Sequence, residues 1–268
     1  KAHFMSLYLG SHAAVPTLPS LPSLSAPIMR NSTDEMPPGS ATLPSVVLTL
    51  ASLVERLKLA YRSFNGGKFV EASEHLDYLL TAIPLCVVEN RKEADEVREL
   101  LGIVTEYKLA VHIELSRKAI PAGAAGVKRQ LELAAYLTHC NLQPAHLMQT
   151  LNLAMSLSFK AKNFINAASF ARRLLELGAA AGNQALLNKA HKVLQRSETE
   201  GRNALDIEYD EKNPFTVCAA SLTPIYRGSP SIRSAFCHAT YKPEFKDSVC
   251  VLDKMSVVGL DTVGLVST

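Results

Sequence analysis

The chain carries one helix–turn–helix pattern twice, 95 residues apart. In each copy two phenylalanines flank a short polar turn, and an alanine follows three positions after the second phenylalanine. The pattern occurs at Phe64, Phe69 and Ala72, and again at Phe159, Phe164 and Ala167. Alanine lets two helices approach closely while aromatic rings fill the space between them, so the pattern predicts a solenoid of helical hairpins. Such architectures form scaffolds and binding surfaces more often than catalytic pockets.

Composition is typical of a globular protein and argues against nucleic acid as a partner. The 268 residues are 47% hydrophobic, which is sufficient for one or two domains with a sizeable core. The net charge of +3 arises from 28 basic and 25 acidic residues and predicts no nucleic-acid-binding face. No apolar run is long enough to cross a bilayer. The start at Lys1 indicates a segment of a longer protein, and Pro16 argues against a signal peptide.

The first region, residues 1–43, is predicted to form an N-terminal arm and a linker. Alternating apolar residues predict a strand over residues 3–9, with residues 13–18 as its partner in a hairpin. Prolines in the stretch 18–24 forbid helix and favour an extended, polyproline-like path. Residues 31–43 are rich in Ser, Thr, Pro and Gly and are predicted to form a linker.

The second region, residues 44–200, is predicted to be almost entirely helical. Apolar residues recur along it at helical spacing. Pro84 closes the second helix, and Pro144 is well placed in the first turn of the fifth. The predicted helices cover residues 46–63, 68–83, 91–118, 127–139, 144–159, 164–177 and 183–195.

The third region, residues 208–268, is rich in Val, Thr and Ser and is interrupted by Pro, Gly and Asp. We call it the C-terminal module. Short strands are predicted over residues 216–222, 248–252 and 256–266. The whole pattern predicts an α+β, mainly α, chain, in which a tetratricopeptide-like solenoid carries an N-terminal β-hairpin arm and a small β-rich C-terminal module.

Several apolar side chains of the N-terminal arm lie outside the helical region. They are Phe4, Leu7, Tyr8, Leu9, Val15 and Leu18. A two-stranded hairpin alone is marginally stable in water, and exposed apolar strands invite aggregation. The arm must therefore fold back on the helices or be buried by a partner, and we favour a partner that contacts these residues.

The C-terminal module also holds the most plausible metal-binding side chains. Four of its residues are of types that bind zinc: Cys218, Cys237, His238 and Cys250. A small module often needs a bound metal or a disulfide for stability. There is no Cys-x-x-Cys pair, however, and the adjacent Cys237 and His238 are poorly placed for one tetrahedral ion. We therefore predict free buried thiols, no metal and no other cofactor, with Cys218, Cys237 and Cys250 as weak candidates.

No pattern for nucleophilic catalysis is present in the sequence. The chain has no Gly-x-Ser-x-Gly sequence. Residues 66–68 (GGK) resemble the end of a phosphate-binding loop, but Arg62 occupies the position of that loop's first glycine, and a helix precedes it. We predict a tight helix–helix turn there and no enzymatic activity.

Longer motifs occur in both the helical region and the C-terminal module. They are residues 134–144 (AAYLTHCNLQP), 170–178 (FARRLLELG), 213–221 (NPFTVCAAS), 224–228 (PIYRG) and 241–246 (YKPEFK). In this order they resemble the C-terminal end of the coatomer alpha subunit, and the likeness covers nearly the whole chain. Members of that family carry cysteines where this chain has Ser234 and Thr240, which weakens the case for a cysteine-based metal site.

The resemblance implies a non-catalytic segment of the COPI vesicle coat, which acts in Golgi-to-ER and intra-Golgi transport on the cytosolic face of Golgi membranes and vesicles. It implies the epsilon coatomer subunit as a partner, a tetratricopeptide protein that wraps around a protruding β-hairpin, together with other coatomer subunits. Membrane association is then peripheral, through the assembled coat. The alternative is a generic helical-repeat adaptor that binds peptides in its own groove.

Overall fold

The computed structural model describes residues 3, 4, 7, 10–30, 44–46, 48–88, 90–121, 123–178, 184–261, 263–265 and 267. Within these residues the chain is mainly helical, with short antiparallel strands towards both ends. The predicted α+β, mainly α, fold class is therefore confirmed. The predicted linker, residues 31–43, lies outside the described residues.

Successive helices form the body of the protein. Each helix packs against the next one along the chain, as in a solenoid of helical hairpins. The helices are α1 Leu50–Asn65, α2 Phe69–Ala82, α3 Arg91–Ala119, α4 Ala124–Leu137, α5 Pro144–Lys160, α6 Phe164–Gly178 and α7 Gln184–Glu200. Each of the predicted helices is present, with ends that differ by a few residues from the predicted ends.

The first helix begins later than the predicted residue 46. The Thr49 side chain accepts a hydrogen bond from the Ser52 backbone N–H, and the Ser52 hydroxyl accepts one from the Thr49 N–H. This reciprocal capping box fixes the start of α1 at Leu50. The residues before it, Pro44–Val46, form a strand instead.

The repeated hairpin predicted from the sequence is confirmed in its packing. The ring centroids of Phe64 and Phe69 are 5.3 Å apart in the first copy, and the rings are nearly perpendicular. In the second copy Phe159 and Phe164 are 5.6 Å apart with the same edge-to-face geometry. The alanine of each copy is fully buried between helices.

The turns of the two hairpins share their hydrogen bonds. In the first copy the Lys68 N–H donates to the Ser63 carbonyl oxygen at 2.9 Å. At the equivalent positions the Asn163 N–H donates to the Ser158 carbonyl oxygen at 2.8 Å. Similar sequences therefore give the same turn twice.

Three short strands form an antiparallel sheet ahead of the helices. They are β1 His12–Val15, β2 Leu24–Arg30 and β3 Pro44–Val46, in the order β1–β2–β3. Val15 lies opposite Leu24 where the first pair closes. The chain thus has an N-terminal hairpin, although it is built from different strands than predicted.

The predicted pairing of residues 3–9 with residues 13–18 is wrong. The described residues in the stretch 3–9 are helical, and β1 pairs with β2. The cause lies in the proline-rich stretch, which turns instead of following the predicted extended path. The Leu21 N–H donates to the Leu18 carbonyl oxygen at 2.9 Å, and this turn returns the chain alongside β1.

The C-terminal module contains two short antiparallel strand pairs. The strands are β4 Phe215–Val217 paired with β5 Pro224–Tyr226, and β6 Ile232–Arg233 paired with β7 Thr240–Tyr241. Of the predicted strand over residues 216–222, only residues 216 and 217 are in a strand, where they form the end of β4.

The prediction of two further strands in this module is wrong. In the described residues, 248–252 and 256–266 take part only in isolated bridges, such as the one between Val249 and Val257. Gly264, at a φ of +86°, lies in the left-handed region and interrupts extended backbone. Turns rather than strands therefore build the end of the module.

One hydrophobic core extends from the helices into the C-terminal module. It includes Leu53 of α1, Tyr107 of α3 and Tyr241 of β7, all fully buried. The Arg129 guanidinium of α4 also donates to the Ser221 carbonyl oxygen at 3.0 Å. The module thus packs directly on the helices, and the domain limits of 1–43, 44–200 and 208–268 remain predictions.

Candidate functional site

The apolar residues predicted to contact a partner divide into two groups in the structure. Phe4 and Leu7 are 75% and 59% exposed. Val15 is half-buried against the core, and Leu18 is buried. Tyr8 and Leu9 lie outside the described residues. The structure therefore leaves part of the predicted surface accessible and places part of it within the chain's own fold.

The buried group anchors the base of the N-terminal arm. Val15 lines a small apolar pocket with Ile83, at the end of α2, and with Phe236 of the C-terminal module. Leu18 lies so close to Gly264 that a Cβ there would be 2.9 Å from Leu18 Cδ2. The arm thus contacts both the helices and the module through Val15 and Leu18, and the contact of these two residues with a partner stays a prediction.

The two hairpins present a further pair of exposed apolar residues that the sequence analysis missed. Val70 and Ile165 occupy equivalent positions, each directly after the second phenylalanine of its copy, and are 64% and 53% exposed. Their common place in the repeat was the available signal. Single exposed apolar residues are common, but this pair marks the same face of each hairpin.

An apolar cleft lies between the N-terminal sheet and α2. Its volume is about 600 Å³. The lining residues are Pro22, Ser23, Leu24, Ser25, Ala26, Pro27, Leu48, Tyr78, Thr81, Ala82 and Leu85. Its size and apolar walls are typical of a groove that takes an apolar side chain or a short peptide.

The cysteines of the C-terminal module are brought together only in part. The sulfurs of Cys237 and Cys250 are 3.6 Å apart, and Asp253 joins them so that the three ligand atoms lie within 4.8 Å of one another. Cys218 lies outside this group, and its sulfur accepts a hydrogen bond from a backbone N–H. His238 is exposed. Asp253 was not predicted as a ligand, although it follows Cys250 at a spacing of three residues.

Hydrogen bonding shifts the pKa values of Cys237 and Cys250 in opposite directions. The Cys250 sulfur accepts hydrogen bonds from the Cys237 thiol, the Tyr241 hydroxyl (3.1 Å) and the Asp253 backbone N–H (3.5 Å). The bond from Cys237 is the main cause that lowers the pKa of Cys250. The same bond, followed by burial and the Asp253 carboxylate, raises the pKa of Cys237. Cys250 is therefore the first of the two to ionise.

A membrane span needs a long helix of predominantly apolar residues. Among the described residues, no helix combines the length and the apolar composition needed to cross a bilayer.

A body of successively packed helical hairpins places the chain in the class of helical-repeat proteins. Comparison with known proteins gives the family. The family model for the C-terminus of the coatomer (COPI) alpha subunit matches residues 1–268. The chain belongs to this family, and the resemblance found in its motifs is confirmed.

Relatives from distant organisms agree with this assignment. The chain is 40% identical over 272 residues to coatomer subunit alpha of Dictyostelium discoideum, covering 99% of the chain and 21% of the relative. It is 38% identical over 265 residues to coatomer subunit alpha-1 of Arabidopsis thaliana, with the same coverage. For coatomer subunit alpha of Saccharomyces cerevisiae the identity is 29% over 266 residues, covering 99% of the chain and 22% of the relative. The chain therefore spans about a fifth of the length of these relatives.

Proposed function

We propose that this chain is a non-catalytic segment of the COPI vesicle coat that binds the epsilon coatomer subunit. Membership of the coatomer alpha C-terminal family supports a role in the coat. The observation that carries the docking proposal is the exposure of Phe4 and Leu7 beyond an arm whose base is anchored by Val15 and Leu18. Two large apolar side chains held at the end of an anchored arm are suited to burial in a concave partner.

Energetics decide how much of the interface the arm can supply. Full burial of two such side chains contributes roughly 3–6 kcal/mol. Association itself costs about 4–15 kcal/mol in lost freedom of motion. Phe4 and Leu7 alone therefore cannot sustain a stable complex, and the partner must also cover neighbouring surface. A partner that encircles the arm would act mainly by slowing dissociation.

The proposed setting follows from the coat assignment. The chain would act on the cytosolic face of Golgi membranes and vesicles, in Golgi-to-ER and intra-Golgi transport. Its contact with the membrane would be indirect, through the other coatomer subunits. In this role the relevant property of the chain is affinity for protein surfaces.

The docking proposal is tested by charge substitution on the arm. We expect the double variant Phe4→Asp with Leu7→Asp to lose co-elution with the purified epsilon subunit in size-exclusion chromatography, while its circular dichroism stays helical. Ile165→Asp is the matched control, because Ile165 is a similarly exposed apolar residue of the second hairpin. Unchanged co-elution of the arm variant would reject the arm as the docking surface. Loss of co-elution with Ile165→Asp alone would move the interface to the helices.

A second candidate is a helical-repeat adaptor that binds a peptide in its own groove. The cleft of about 600 Å³ between the sheet and α2 favours it. Peptide-library binding to the wild type and to Thr81→Arg, which places a cation at the half-buried wall of the cleft, would distinguish the two candidates. Peptide binding that Thr81→Arg abolishes and the arm variant leaves intact would support the adaptor.

A further inference from the structure

Three buried donor groups converge in the C-terminal module. The sulfurs of Cys237 and Cys250 and a carboxylate oxygen of Asp253 lie within 4.8 Å of one another, and all three residues are buried. Two thiolates and a carboxylate are a donor set that suits zinc, and the separations are compatible with one shared tetrahedral ion. The group is a candidate metal site that depends on geometry rather than on a sequence motif.

Local backbone geometry supports the convergence. Cys250 and Asp253 occupy one tight turn, in which the Lys254 N–H donates to the Cys250 carbonyl oxygen at 3.0 Å. The Asp253 N–H points at the Cys250 sulfur at 3.5 Å. Ligands at positions i and i+3 of such a turn face the same point, as they do in Cys-x-x-Cys metal sites. Cys237, between β6 and β7, supplies its sulfur from another segment.

An outer layer of hydrogen bonds holds the donors in place. The hydroxyl of the buried Tyr241 donates to the Cys250 sulfur at 3.1 Å. The backbone N–H groups of Met255 and Ser256 donate to Asp253 Oδ1 at 2.8 Å and 3.0 Å. Such outer contacts orient ligands in metal sites and tune their basicity.

The other carboxylate oxygen is held by groups that can move. Asp253 Oδ2 accepts hydrogen bonds from the Ser234 hydroxyl (3.1 Å) and the Ser256 hydroxyl (2.9 Å). Hydroxyl groups rotate freely, so Oδ2 can turn a lone pair to a cation while Oδ1 stays fixed by the backbone. Water would complete the four ligands of a tetrahedral ion.

The charge of the site favours a cation. The hydrogen bonds described above reach Asp253 only from neutral groups, although its carboxylate is buried within 4.8 Å of both sulfurs. Buried negative charge is costly unless it is paired or coordinates a metal. A divalent ion bound to Asp253 and both sulfurs would neutralise it.

We propose that Cys237, Cys250 and Asp253 bind one zinc ion that joins the β6–β7 hairpin to the turn that follows it. Zinc takes the place of the thiol protons of Cys237 and Cys250, so binding releases these protons to solvent. Cys237 also lines a cleft of about 450 Å³ between α3 and the module, which gives the ion a route to the site. The role proposed for the ion is to join two segments of the module, since Cys237 lies between β6 and β7 whereas Cys250 and Asp253 lie in a later turn.

The test uses the wild-type chain, purified under reducing conditions without chelator. We expect one zinc per chain by elemental analysis. Cobalt added to the metal-free chain should give thiolate charge-transfer absorption and the visible bands of a tetrahedral ion. Cys250→Ser and Asp253→Asn should weaken cobalt binding by more than about a hundredfold, since even outer-layer substitutions cost about 10–100-fold. Cys218→Ala is the matched control, because it removes a buried thiol of the same module outside the group and should bind cobalt as the wild type does.

Two further measurements test the proposal even if a variant that lacks a ligand fails to fold. Tyr241→Phe retains every ligand and should bind cobalt about 10–100-fold more weakly. Chelation of the wild-type chain should lower its Tm, and zinc, but not magnesium, should restore it. A chain without bound zinc whose cobalt spectrum is that of the hydrated ion would overturn the proposal. A spectrum that depends on Cys218 as strongly as on Cys250 would also overturn it.

Discussion

Asn163 binds both backbone groups of Leu205. The Asn163 side-chain N–H donates to the Leu205 carbonyl oxygen at 2.9 Å, and its amide oxygen accepts from the Leu205 N–H at 2.8 Å. Asn163 is fully buried in the turn of the second hairpin. The contact ties the segment after α7 to this turn and so helps to place the C-terminal module. The first hairpin has the exposed Lys68 at the equivalent position.

We predict that Asn163→Ala destabilises the protein by roughly 2–4 kcal/mol, because it leaves two buried backbone groups without their partner. Urea denaturation followed by circular dichroism measures the change. Lys68→Ala, at the matching position of the first hairpin, removes only a surface ion pair with Glu71 and should stay within about 0.5 kcal/mol of the wild type. Equal effects of the two substitutions would contradict the anchoring role of Asn163.

The turns also allow a reciprocal exchange of residues. Gly67 and Lys162 occupy equivalent positions with φ of +69° and +61°, in the left-handed region. A side chain there costs roughly 1–2 kcal/mol, partly offset by the greater unfolded-state entropy of glycine. We predict that Lys162→Gly raises the free energy of unfolding by about 0.5–1 kcal/mol.

The opposite substitution, Gly67→Lys, should lower the free energy of unfolding by a similar amount. No other atom lies within 4 Å of the Cβ that it would add, so backbone strain is the only expected effect. Both values come from the same urea titrations. A loss of stability in Lys162→Gly would show that the lysine side chain stabilises its turn in another way.

A buried histidine makes stability depend on pH. The Tyr107 hydroxyl accepts from the Gln143 N–H at 3.0 Å and is hydrogen-bonded to His146 Nδ1 at 2.6 Å, so the imidazole lies in a packed interior. Burial lowers the pKa of His146. Below its ordinary pKa of about 6.5 the unfolded chain binds a proton that the folded chain does not, so stability falls as pH falls.

We predict that urea unfolding between about pH 7 and pH 5 shows this loss, and that His146→Phe reduces its slope. His191→Gln, which removes an exposed histidine, is the control and should keep the wild-type slope. An identical slope in the wild type and His146→Phe would assign the pH dependence to other groups.

The helical part of the fold could be predicted because its determinants are local. Apolar spacing fixed the helix faces, and residues such as Pro84 and Pro144 marked the ends of helices. The pairing of strands in the N-terminal arm depends instead on where the chain reverses direction. The turn at Leu18 brings β2 alongside β1, so β1 pairs with β2 and not with residues 3–9. Strand register is set by such turns rather than by apolar alternation alone.

The candidate sites were predictable to different degrees. The apolar character of Phe4 and Leu7 was evident, but the burial of Leu18 against Gly264 brings together opposite ends of the chain, which no local pattern encodes. Cys250 was recognised as a ligand type, whereas Asp253 was missed because a single aspartate carries no metal-site pattern by itself. The burial of Leu18 is a tertiary contact, whereas Asp253 is local to Cys250 and reaches Cys237 only through the fold.

The central claim is that the exposed end of the N-terminal arm enters the epsilon coatomer subunit, and site-specific photocrosslinking tests it most directly. Benzoylphenylalanine replaces Phe4 in one sample and Ile165 in the other, and each chain is irradiated with the purified epsilon subunit. If the arm enters the epsilon subunit, position 4 gives a covalent adduct that is much stronger than any from position 165. No adduct from position 4, in a complex that still co-elutes, would contradict it.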